Sequence, residues 1–201
     1  MLKLQFLIIF LVLYTLKSAD SRNQELNCVL FNEKYHEYMY AANFLFSKNF
    51  KRTIYTFPLG LFYSAKNGHN FDFTEDDRKG VWIIEPVSGR KNVYYLKNLK
   101  YEEYLYAGDK VPKFIFFDTN MRFVNTKKDF SPSDEKFMWK FERLNKMGSY
   151  FIYNVEYNEP LFADFHRTRE NIRRDVLTWY KDPNGLQFSW NVKCKNDAKL
   201  D

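Results

Sequence analysis

Short runs with an apolar residue at every second position, broken by polar clusters, predict strands along most of this chain. Val93–Tyr101 is dense in β-branched, aromatic and aliphatic side chains, and Glu103–Ala107 forms a second strand after a polar turn. Trp82-Ile83-Ile84, Trp139-Lys140-Phe141 and Trp190-Asn191-Val192 share a Trp-x-apolar pattern, which puts the indole and the apolar side chain on one strand face. Further strands are expected at Thr53–Phe57, Lys113–Phe117 and Asp175–Tyr180. Gly108-Asp109, Ser131-Pro132-Ser133-Asp134 and Asp182-Pro183-Asn184-Gly185 punctuate them. Helical periodicity is absent, and Phe44–Asn49 and His166–Arg174 leave room for no more than a short helical turn.

One thirteen-residue pattern recurs. Val29–Ala41 (VLFNEKYHEYMYA), Tyr95–Ala107 (YLKNLKYEEYLYA) and Phe151–Ala163 (FIYNVEYNEPLFA) agree, without gaps, in seven of thirteen columns. The shared columns are Leu30/Leu96/Ile152, Asn32/Asn98/Asn154, Tyr35/Tyr101/Tyr157, Glu37/Glu103/Glu159, Met39/Leu105/Leu161, Tyr40/Tyr106/Phe162 and Ala41/Ala107/Ala163. Each copy precedes one Trp strand, so three units follow, at about 28–92, 93–148 and 149–194. The first carries an insertion around Gly60–Gly80 that ends in the acidic run Glu75-Asp76-Asp77, read as a solvated loop.

A four-stranded unit of that length cannot bury its own apolar face, so the three must pool one core. Closing the sheet also removes its exposed edges. The chain therefore resembles the β-trefoil: all-β, three four-stranded units, pseudo-threefold symmetry, six strands in a barrel and six in a hairpin cap. Leu30/Leu96/Ile152, Met39/Leu105/Leu161 and Ile84/Phe141/Val192 are the expected core layers.

The two ends of the chain bear on its compartment. Residues 1–19 read as a signal peptide: Lys3, an apolar run from Leu4 to Leu16, then Ser18-Ala19. That run of thirteen residues is short of the ~20 needed to span a bilayer. Residues 20–201 are then one exported domain, a monomer without stable membrane insertion. Without Lys3 and Lys17 the formal charge falls from +6 to +4, with 29 bases against 25 acids, which permits acidic partners without demanding them. Cys28 and Cys194 are the only cysteines, at the two ends of the repeats. In an oxidising compartment they predict one disulfide.

Little points to catalysis. His36, His69 and His166 lack metal-ligand spacing, and no nucleophile motif, phosphate-cradling glycine loop or dinucleotide fingerprint occurs. The expectation is no enzyme, no metal and no cofactor. The repeated Asn is read as a turn residue bonding nearby backbone, and the repeated Glu as a hairpin residue. Aromatic residues make up 20% of the chain, so Tyr35, Tyr38, Tyr101, Tyr104 and Tyr157 are candidates to stack on sugar rings, with Tyr38 and Tyr104 taken as the binding pair. The clearest non-repeated feature is Arg167, Arg169, Arg173 and Arg174, forked donors suited to sulfate, phosphate or carboxylate.

Phe151–Asn158 and the Trp82-x-x-x-Pro86 pattern also look like the trefoil half of the small haemolymph lipoproteins of insects, and small insect salivary trefoils are similar in size and disulfide closure. Growth-factor trefoils, whose late basic loops bind heparan sulfate, are similar in the placement of the arginines. The Gln-x-Trp of ricin-type lectins is not matched, since Gly80, Phe137 and Phe188 precede the tryptophans by two. These resemblances imply a secreted binding protein for extracellular glycan or acidic glycosaminoglycan, with nucleic acid excluded by export. The alternatives are a protein-interaction module (a protease inhibitor or host-factor binder using Phe44–Arg52 or Gly60–Gly80) and a haemolymph carrier or storage protein.

Overall fold

The computed structural model describes residues 26–46, 51–58, 75–112, 120–145, 148–167, 173–195 and 200. The alternating segments form twelve strands: β1 (Leu26–Asn32), β2 (Glu37–Phe46), β3 (Lys51–Pro58), β4 (Trp82–Pro86), β5 (Val93–Asn98), β6 (Tyr104–Lys110), β7 (Met121–Lys127), β8 (Trp139–Arg143), β9 (Ser149–Asn154), β10 (Glu159–Arg167), β11 (Arg174–Trp179) and β12 (Trp190–Cys194).

Six of them close a ring by antiparallel pairing, in the order β1, β4, β5, β8, β9, β12 and back to β1. The other six are the hairpins β2–β3, β6–β7 and β10–β11. Their second strands pair with one another, β3 with β7, β7 with β11 and β11 with β3, to cap one end of the ring. The fold is a β-trefoil. Each hairpin shifts register just after the repeated alanine, between Ala41/Leu45, Ala107/Lys110 and Ala163/Arg167, and all three alanines are buried in the central cluster. Such a bulge bends the hairpin over the ring.

The core layers fall where the pattern puts them. Leu30, Leu96, Ile152, Met39, Leu105 and Leu161 are fully buried; Ile84 and Phe141 are nearly so, and Val192 packs against them half-buried. Trp82, Trp139 and Trp190 are buried too, and their indole N–H groups donate to the Met39, Leu105 and Leu161 carbonyls at 3.1, 3.1 and 3.0 Å. That bond ties each closing strand to its hairpin. Cys28 and Cys194 are register partners in β1 and β12 and form the expected disulfide, joining the first strand to the last.

Several local expectations are corrected. Phe44–Phe46 continue β2 instead of turning into helix, and His166, Arg167 and Arg174 are strand residues. The third strand of the second unit lies at Met121–Lys127; residues 113–119, where Lys113–Phe117 was expected, are outside the described residues. The strand expected over Val93–Tyr101 stops at Asn98, where a turn begins. The acidic run opens a 3-10 segment, Glu75–Gly80, and shorter ones occur at Glu135–Phe137 and Leu186–Phe188, each ending two residues before a repeated Trp. Runs of three to six residues are too short to show helical periodicity. The signal segment, residues 47–50 and most of the Gly60–Gly80 insertion also lie outside the described residues.

Candidate functional site

The repeated polar residues build three equivalent corners. Each Asn is fully buried and braces a turn from both sides. Its Oδ1 accepts the backbone N–H three residues on (Tyr35, Tyr101, Tyr157), and its Nδ2 donates to a carbonyl of the 3-10 segment (Gln187, Lys79, Lys136). His36, Glu102 and Asn158, four residues after each Asn, take positive φ of 55°, 54° and 51°. The Asn is the expected turn residue.

The repeated Glu does more than end a hairpin. Glu37, Glu103 and Glu159 are buried. Each accepts a threonine hydroxyl from the hairpin's second strand: Thr56 at 2.5 Å, Thr126 at 2.7 Å and Thr178 at 2.7 Å. Each also meets an arginine from a neighbouring unit. Arg52 reaches Glu103 with two donors at 3.0 and 3.2 Å, Arg122 reaches Glu159 at 3.0 Å, and Arg174 Nε lies 3.4 Å from Glu37. The same arginines cover the repeated tyrosine rings, with guanidinium carbons 3.5, 3.5 and 3.7 Å from the centroids of Tyr101, Tyr157 and Tyr35. Register explains the meeting, because Arg52, Arg122 and Arg174 sit opposite Thr126, Thr178 and Thr56 where the cap strands cross. A buried carboxylate needs a partner of this kind.

Arg174 is therefore the third copy of a scaffold contact, and its Nη1 also donates to the Asp164 and Phe165 carbonyls at 3.3 and 2.7 Å. In the sequence it stands with its neighbours, and nothing there marks Arg52 and Arg122 as its equivalents, whose repeat is visible only once β3, β7 and β11 are aligned.

The Glu37 corner carries more than the other two. Arg167, 41% exposed, brings a second guanidinium to Glu37 at 3.5 Å, and Arg173 lies over the Tyr55 ring at 4.3 Å. Leu45 and Lys110 take the place opposite the network arginine that Arg167 takes opposite Arg174. Two aspartates accompany the extra arginines. Burial and then the nearby Asp164 push the Asp175 carboxyl up to about 6, with Arg173 pulling it back. His166, on the same strand as Asp164, places Nδ1 3.9 Å from its carboxylate. Arg169 falls outside the described residues.

The structure thus brings Arg167, Arg173 and Arg174 to one corner. Tyr38 stands on β2 beside Phe31, ring centroids 5.0 Å apart. Tyr104 belongs to the second unit, where its ring stacks on Phe130 at 3.9 Å and its hydroxyl meets the Glu85 carboxylate at 3.1 Å. Phe130 occupies one face of that ring, and Lys97 Nζ lies over it 5.7 Å from its centroid. Among the described residues no group of three or more His, Cys, Asp or Glu is placed to hold a metal ion, and no helix is long and apolar enough to cross a membrane.

No protein-family model and no curated protein matches the chain. Solved structures do. A Caenorhabditis elegans protein with unknown function matches with a TM-score of 0.62 at 12% identity, over 85% of this chain and 94% of that one. A salivary protein of Culex quiquefasciatus, from a cysteine- and tryptophan-rich family, matches with a TM-score of 0.56 at 14% identity, over 85% and 94%. The designed three-fold symmetric protein ThreeFoil matches with a TM-score of 0.57 at 11% identity, over 83% and 96%. At such identities the likeness is one of fold.

Proposed function

We propose that this chain is an exported, non-enzymatic binding module that takes an acidic extracellular glycan of the glycosaminoglycan class at the corner where β10 and β11 meet β3. The observation that carries the reading is the departure from symmetry. What repeats three times builds the scaffold, and where the other two corners carry Leu45 with Lys51 and Lys110 with Met121, this one carries two guanidinium groups, Arg167 and Arg173. Guanidinium forks match sulfate and carboxylate oxygens in pairs. The Cys28–Cys194 disulfide suits an oxidising, extracellular setting, and a salivary protein shares the fold.

The test is retention on heparin-agarose. Wild type is expected to stay bound at physiological salt, and the triple variant Arg167→Ala, Arg169→Ala, Arg173→Ala to elute at lower salt while still unfolding in one cooperative thermal transition. Arg174 is left in place because it holds Glu37. Flow-through of wild type at physiological salt, or identical elution of the two proteins, overturns the reading.

A further inference from the structure

Trp179 is the tryptophan that the repeats do not account for. Trp82, Trp139 and Trp190 are fully buried, whereas Trp179, at the end of β11, is partly exposed. It packs on Phe188 at 6.2 Å in a stacked geometry and meets Phe165 edge-on at 5.8 Å. Phe165 is itself 40% exposed. At the corresponding places in the other two hairpins stand Phe57 and Lys127 for Trp179, and Asn43 and Asp109 for Phe165. Only the third unit pairs two aromatic rings there.

Cations flank this pair on both sides. Lys181 Nζ sits over the Trp179 ring at 4.8 Å, and Lys34 Nζ sits over Phe165 at 5.6 Å and over Tyr35 at 5.4 Å. An ammonium held by a π face keeps N–H donors for an anion beside the ring. Tyr35 is also the ring under Arg174, and Arg174 donates to the Phe165 carbonyl, so the aromatic strip runs into the arginine corner. An apolar protein segment laid here would have to desolvate both ammonium groups. A sugar ring bearing sulfate or carboxylate would satisfy both kinds of group at once. Its C–H face would meet the aromatic rings and its anions the lysines.

We propose that Trp179 and Phe165, flanked by Lys34 and Lys181, form a subsite that stacks one pyranose ring of an acidic glycan. The subsite rests on the glycan reading above and sharpens it, because it separates a saccharide from any other polyanion.

Two probes are titrated against the exported protein: a heparin-derived hexasaccharide, and poly(vinyl sulfonate), which has charge but no sugar ring. The hexasaccharide is expected to change the emission of Trp179, the one partly exposed indole among the described residues. Trp179→Leu is expected to bind the hexasaccharide about tenfold more weakly and poly(vinyl sulfonate) as wild type does. Lys181→Gln, a surface change that leaves the packing intact, is expected to weaken the hexasaccharide severalfold. Wild-type affinity of both variants for the hexasaccharide overturns the subsite. Equal loss of both probes in Trp179→Leu, with Lys181→Gln unaffected, overturns it too. If wild type binds neither probe, the glycan reading fails and the subsite with it; if it binds both and the variants do not discriminate, the subsite alone fails.

Discussion

The Trp139 indole N–H donates to the Leu105 carbonyl at 3.1 Å, from the strand that closes the second unit to the hairpin that caps it. Both groups are buried, so the carbonyl has no water to turn to. Trp139→Phe keeps an aromatic ring and removes the donor, and is expected to destabilise the fold by about 1–3 kcal/mol. Trp179→Phe should cost under ~1 kcal/mol, as for a partly exposed site with no such bond to lose. Urea midpoints of the two variants check the contrast.

Arg52 and Glu103 form a buried pair, with side chains 7% and 3% exposed. Arg52→Met strips Glu103 of its counter-charge in the interior, and a loss of about 3–5 kcal/mol is expected. Lys140 and Glu142 also pair, at 2.6 Å, with side chains about half exposed. Lys140→Ala should move stability by less than ~1 kcal/mol. Equal urea shifts for the two variants would contradict the role given to the three corners.

Cys28 and Cys194 close nearly the whole domain, with a sequence separation of 166. By the chain-entropy account, Cys28→Ser with Cys194→Ser loses about 4–5 kcal/mol. The paired strands β1 and β12 should still form, because they are held by backbone bonds and Trp190. The expected result is a lower unfolding midpoint for the double variant, matched by wild type in reductant, with an unchanged far-ultraviolet spectrum.

Asp175 gives the fold a pH signature. Its carboxyl titrates near 6 in the folded chain against 3.8 for an unperturbed aspartate, first through burial and then through Asp164. Since the folded chain holds this proton more tightly, the stability linked to it is complete below about 3.8 and is lost as pH rises through about 6. The difference is on the order of 2 kcal/mol after allowance for partial exposure. Asp175→Asn should flatten the slope, so the stability gap between variant and wild type widens from pH 4 to pH 7. A constant gap across that range would contradict it.

Much of the scaffold was legible because a threefold repeat states each requirement three times. Leu96, Leu105 and Trp139 could be placed in the core from their columns alone, and Asn98 could be read as a turn residue from its type. Glu103 could not be read as buried, because the partners that allow it, Thr126 and Arg52, come from different strands and different units. The candidate site was legible only in part for the same reason. Arg167, Arg173 and Arg174 look alike in the chain, yet Arg174 belongs to a repeated contact and the other two do not. Phe165 and Trp179 lie fourteen residues apart and meet only because β10 and β11 pair.

Local pattern decided by itself that the chain is all-β, that it is built in three units, which side chains form the core, and that its cysteines stand at the two ends, because alternation and repetition are properties of neighbours in sequence. Which arginines belong to the threefold contact, which stand outside it, and where an aromatic pair opens to solvent were decided by strand crossing in the cap. Those outcomes depend on distances between residues far apart in the chain, and only the closed sheet sets them.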